Sequence, residues 1–103
     1  MPQTTAIPYD MTPDPDFVTG VVAFPWQAWE SHGVQIGWVA FGDCPRCHHA
    51  MAVYRRRAGG LLPRRKIKAS CNCLEYHPNR PPDVHQGCGQ SGAVDPRRWP
   101  LPG

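Results

Sequence analysis

Cys44-Pro-Arg-Cys47, Cys71-Asn-Cys73 and Gly87-Cys88-Gly89 put five cysteines inside 45 residues of a 103-residue chain. No other feature restricts the fold as much. Two thiols separated by two residues can wrap a tight turn around one ion and offer both sulfurs to it, and Pro45 fixes φ beside that turn. The chain needs such a staple. Pro (13) and Gly (10) are about twice as frequent as usual, which excludes long helices over most of the length. A chain this short also buries only a modest core.

A metal suits these cysteines better than disulfides do. The N-terminus MPQTTAIPYDMTPDPD has neither the basic start nor the apolar core of an export signal. The protein is therefore expected in the cytoplasm, where thiols stay reduced. An odd number of cysteines would also leave one thiol unpaired. No apolar run reaches the 18 or so residues that span a bilayer, so no membrane partner is expected.

The chain reads as an extended, poorly ordered acidic and Pro-rich arm (1–16) followed by one small β domain (17–103). Within the domain, the β-branched run FVTGVVAF (17–24) predicts a strand. PWQAWESHG (25–33) predicts one short helix, with Pro25 in its first turn, Gly33 past its end, and Trp26 and Trp29 on one face. VQIGWVAFG (34–42) and AMAVYRRR (50–57) predict strands, and LLPRRKIKAS (61–70) is expected to return antiparallel to the latter around Ala58-Gly59-Gly60. From Cys71 onward there is little periodicity, as expected of a loop shaped by ligands. Trp26, Trp29 and Trp38 are expected in the core, with Trp99 covering it from the tail.

The order strand, CPRC turn, strand, basic hairpin tip, strand, second cysteine pair resembles the zinc-ribbon class over roughly residues 34–92. The resemblance implies a small, β-rich, metal-stapled fold of antiparallel hairpins, with zinc as the bound ion. One departure stands out: the second pair has one intervening residue rather than two, with His77 and Cys88 downstream. The candidate ligands are Cys44, Cys47, Cys71, Cys73, His77 and Cys88. The set preferred from the sequence is Cys44, Cys47, Cys73 and Cys88, followed by the set using both Cys71 and Cys73. Six candidates also suffice for a second ion or a bridged pair. His48, His49 and His85 are expected to be solvated. Two other readings of Cys44-Pro-Arg-Cys47-His48 weigh less. Haem attachment normally needs export, and a redox pair needs a helix after the second cysteine, where a strand is expected.

Charge divides along the chain. Residues 1–43 hold five acidic residues and no Lys or Arg, whereas residues 44–103 hold all 11 basic residues and three acidic ones. Arg55, Arg56, Arg57, Arg64, Arg65, Lys66 and Lys68 flank the expected hairpin tip. Gathered on one protrusion, they would attract nucleic-acid phosphates or an acidic protein surface. Catalysis and a small-molecule substrate are not expected: an all-thiolate site is closed to water, and no nucleophile–base–acid grouping stands out. The function expected is a non-catalytic, zinc-stapled, nucleic-acid-associated adaptor. The alternative is a protein-interaction module or accessory subunit of a larger assembly, using the Trp-rich N-terminal half.

Overall fold

The computed structural model describes residues 7–56 and 66–102. They form a three-stranded antiparallel sheet, a two-stranded antiparallel sheet and one short helix. The first departure from the sequence reading is at residues 15–21, which form helix α1 (Pro15–Val21) rather than a strand. The Asp14 carboxylate accepts from the Asp16 N–H at 2.9 Å, Pro15 occupies the first turn and Asp16 favours the positive end of the helix. Phe17 and Val21, four residues apart, are both fully buried on one face. The cap and that spacing outweigh the β preference of the valines.

The second departure is the exchange of helix for strand at 26–31. Strand β1 (Trp26–Ser31) pairs with β2 (Val34–Asp43) from Trp26↔Ala40 to Ser31↔Val34. His32 (φ 52°) and Gly33 (φ 78°) join them as a two-residue turn with both φ values positive, the geometry that matches strand twist. Gly33 thus ends a hairpin arm and not a helix. Strand β3 (Ala50–Arg56) pairs with β2 from Gly37↔Arg56 to Asp43↔Ala50.

The third departure concerns strand β4 (Ile67–Ser70), which pairs with β5 (Ser91–Val94) and not with β3. Asn72 links the two sheets instead. Its side-chain amide donates to the Ala52 carbonyl (3.0 Å) and accepts from the Ala52 N–H (2.9 Å), as a neighbouring strand would. The expected tip Ala58-Gly59-Gly60, with Arg57, Arg64 and Arg65, lies outside the described residues.

Alternation gives the first sheet two distinct faces. Trp26, Trp38, Ala40, Met51 and Val53 face the core, whereas Trp29, Phe41 and Tyr54 lie on the other side. Trp29 packs over Gly37 and beside Tyr54, with ring centroids 5.1 Å apart. Trp99 closes the opposite side of the core against Trp26, at 4.2 Å between centroids. Its indole N–H donates to the Phe24 carbonyl at 2.9 Å, and that of Trp26 donates to the Trp99 carbonyl at 3.3 Å. The tail is short and irregular as expected, with a single 3₁₀ turn at Pro96–Arg98.

Candidate metal centre

Each cysteine sits where a strand ends. Cys44 and Cys47 occupy the turn between β2 and β3, closed by the His48 N–H to Cys44 carbonyl bond and by the Cys44 N–H to His49 carbonyl bond, both 2.8 Å. Cys71 follows β4 directly, and its N–H donates to the Gln90 carbonyl at 2.9 Å, extending the β4–β5 ladder into the loop. Cys73 lies two residues on, and Cys88 just precedes β5. Gly87 (φ 89°) and Gly89 (φ 97°) flank Cys88. A Cβ at Gly87 would overlap the Cys71 carbonyl, and one at Gly89 would press on the Asp10 backbone. Only glycine fits either position, and the result is a turn that drives the Cys88 thiol inward.

The two hairpin ends meet. All five cysteines are buried and free. Their sulfurs lie 3.7 Å apart for Cys44–Cys88, 3.7 Å for Cys47–Cys71 and 3.9 Å for Cys47–Cys73, well beyond a disulfide bond of about 2.05 Å. Four of them, Cys44, Cys47, Cys71 and Cys88, form one group whose donor atoms all lie within 4.8 Å of one another. Cys47, His49, Cys73 and His77 form a second group by the same measure. Either donor set could hold a metal ion.

The structure thus brings Cys71, and not Cys73, together with Cys44, Cys47 and Cys88, while Cys73 and His77 belong to the adjoining group. The reason lies in the C-x-C segment. Between Cys71 and Cys73 the Asn72 amide clamps β3, and the Gly87 N–H donates to the Cys73 carbonyl at 2.8 Å. The two thiols fall into different groups of four. His49, expected to be solvated, also belongs to the second group; His48, at φ 63°, is exposed. The signal for His49 was its spacing: Cys47 and His49, two apart, repeat the separation of Cys71 and Cys73.

Burial and neighbouring thiols raise the pKa of three of these thiols. Burial pushes the Cys47 thiol up to about 12. The neighbouring Cys44 thiol, followed by burial, pushes Cys71 up to about 12 as well. Cys73 is raised in the same direction, chiefly by burial. Removed from water, a thiolate is stable only beside a compensating cation. His77 is 1% exposed. Its Nδ1 lies 2.6 Å from the Ile7 carbonyl, which can only accept, so Nδ1 carries the proton and Nε2, 3.1 Å from the Cys73 sulfur, is free to ligate.

The segment expected to be a loose arm contributes directly. Residues 7–12 have no regular secondary structure and are tied to the loop that carries the candidate ligands. The Tyr9 N–H donates to the Pro78 carbonyl (2.7 Å) and the Asp10 N–H to the Cys88 carbonyl (2.9 Å). Gln90 Nε2 donates to the carbonyls of Asp10 and Thr12, and Arg46 spans the carbonyls of Cys88 and Pro8. Arg80 stitches the same loop through the carbonyls of Glu75 and Gly87.

Among the described residues, the basic side chains of β3 divide between its two faces. Arg55 points to the inner face of the first sheet and loses part of its solvation, which lowers its pKa, whereas Arg56, on the opposite face, is exposed. Adjacent residues of a strand cannot form one patch. Lys66 and Lys68 are exposed at β4. No helix among the described residues is long and apolar enough to cross a membrane. Compared with protein families, curated proteins and solved structures, the chain matches none of them. Fold and site define a small β-rich, two-sheet domain with a cysteine–histidine cluster suited to a structural metal ion.

Proposed function

We propose that this protein is a non-catalytic zinc-stapled module of zinc-ribbon character, acting as a nucleic-acid-associated adaptor in the cytoplasm. The observation that carries the reading is the convergence of Cys44 and Cys47 from one hairpin end with Cys71 and Cys88 from the other. A donor set of four thiolates favours zinc over harder cations. It also leaves zinc no open position for water, so the metal's role is to hold the two hairpin ends together. The adaptor role rests on the exposed charges of Arg56, Lys66 and Lys68, together with Arg57, Arg64 and Arg65 of the segment between β3 and β4. The aromatic side of the first sheet adds Tyr54 (53% exposed) and Phe41 (49% exposed). Aromatic rings beside Arg are the combination that holds single-stranded nucleic acid by stacking and charge.

The test is retention of the zinc-loaded protein on single-stranded DNA or RNA across a salt series. Binding should fall steeply with salt and be abolished by Arg56→Ala with Arg65→Ala. No retention on either polymer at low salt would sink the adaptor role and leave the metal site standing.

A second reading is favoured by the same aromatic surface together with Leu74 and Tyr76, 84% and 73% exposed. These side chains would anchor an acidic protein partner within a larger assembly, since Tyr and Arg concentrate interface energy. Capture of a partner that survives high salt and is lost on Tyr54→Ala would favour this reading over the first.

A further inference from the structure

We propose that the cluster holds two metal ions at once, bridged by the Cys47 thiolate, with His49 as a ligand of the second ion. This rests on the four-cysteine site proposed above and extends it. Two tetrahedral ions require eight donor positions. Seven side chains converge here, and one of them, Cys47, belongs to both groups of four. A single bridging thiolate supplies the missing position. The first ion then takes Cys44, Cys47, Cys71 and Cys88, and the second takes Cys47, His49, Cys73 and His77.

The spacing fits. Zinc–sulfur bonds of about 2.3 Å give a tetrahedron whose sulfur–sulfur edge is about 3.8 Å. The Cys44–Cys88, Cys47–Cys71 and Cys47–Cys73 separations are 3.7, 3.7 and 3.9 Å. Cys47 thus stands at edge distance from one sulfur of each group. The Cys73 sulfur to His77 Nε2 separation, 3.1 Å, is a few tenths of an ångström under the corresponding mixed edge.

Two further observations point to the second ion. His49 Nδ1 is shielded from solvent and has no hydrogen-bond partner, a condition rare for a buried polar atom. His77 is held by Ile7 in the tautomer that directs Nε2 towards Cys73. Charge leads the same way. Four thiolates around one dication bury two uncompensated negative charges, whereas five thiolates around two dications with neutral imidazoles leave one. Loading the pair releases the five thiol protons to solvent.

The test uses the full chain, reduced and loaded with cadmium-113. Two resonances of equal intensity are expected, one in an all-sulfur environment and one in mixed sulfur and nitrogen. Both should correlate with the β-protons of Cys47. His49→Ala should lower the bound metal from two ions towards one and leave the all-sulfur resonance in place. A single resonance at saturating cadmium overturns the bridged pair while leaving the four-cysteine site standing, whereas failure to bind any cadmium removes that site too. Two unperturbed resonances in His49→Ala overturn the assignment of His49.

Discussion

A buried thiol without a cation keeps its proton, and this sets how the cluster responds to pH. Cys47 and Cys71 are held up to about 12 against an ordinary 9.0, so each must release a proton when metal binds. Protons therefore compete with the metal, and affinity falls as pH falls. These two thiols alone should make the apparent affinity drop by at least about 100-fold per unit of acidification below neutrality, as read by competition with a chelating dye. A pH-independent affinity would mean that they do not ligate. Cys88→Ser removes one donor at the junction of the two hairpin ends. It should weaken metal binding by more than the roughly 10- to 100-fold typical of losing a supporting contact, while Leu74→Ser, at an exposed position, should leave it unchanged. The five cysteines and His77 were legible as candidate ligands, because thiols in close pairs have few other uses, whereas His49 was expected to be solvated. Their grouping was not. Which of Cys71 and Cys73 joins Cys44 depends on the Asn72 amide clamping β3, a contact between residues 20 apart with no mark in the local sequence.

At the scale of elements, the cluster joins parts that are otherwise weakly linked. β3 and β4 are not hydrogen-bonded to each other, and the loop from 71 to 90 has no regular structure. Its backbone is held by Arg80 and by residues 7–12, and it carries the candidate ligands Cys73, His77 and Cys88. Chelation should therefore open this loop first. Hydrogen exchange is expected to speed up at the amides of Tyr9, Asp10, Cys71 and Gly87, while those shared by β1 and β2 stay protected. Equal loss of protection everywhere would mean that the metal supports the whole fold and not this junction. Strands β2 and β3 were readable because their apolar runs are bounded by turn residues. The exchange of helix and strand before them shows where such reading fails. Residues 17–24 carry a β-rich composition, but Asp14-Pro15-Asp16 caps a helix. Residues 25–33 have helix-like tryptophan spacing, but His32-Gly33 adopts positive φ and folds the chain back. In both places the punctuation at the segment ends outweighed the composition between them.

The whole molecule depends on closure between distant parts of the chain. Trp99 brings the tail onto Trp26 and Phe24, and residues 7–12 bring the start onto the cluster. Trp99 is 3% exposed, so Trp99→Ala should cost about 3–5 kcal/mol, measured by urea unfolding of the metal-loaded protein. A cost below about 1 kcal/mol would mean that the tail is not part of the core. Tryptophan burial at this site was expected from the sequence. Docking of the N-terminal segment was not, because its hydrogen bonds run from backbone groups and from Gln90 and Arg46, which follow no pattern in a Pro-rich stretch.

The proposed role depends on a metal ion holding the two hairpin ends together through the buried cysteines. Native mass spectrometry of the reduced, zinc-supplemented protein, followed by brief thiol alkylation, tests it most directly. Bound zinc is expected, with cysteines that resist alkylation until the metal is stripped. A metal-free protein whose five thiols react at once in a folded chain would contradict it.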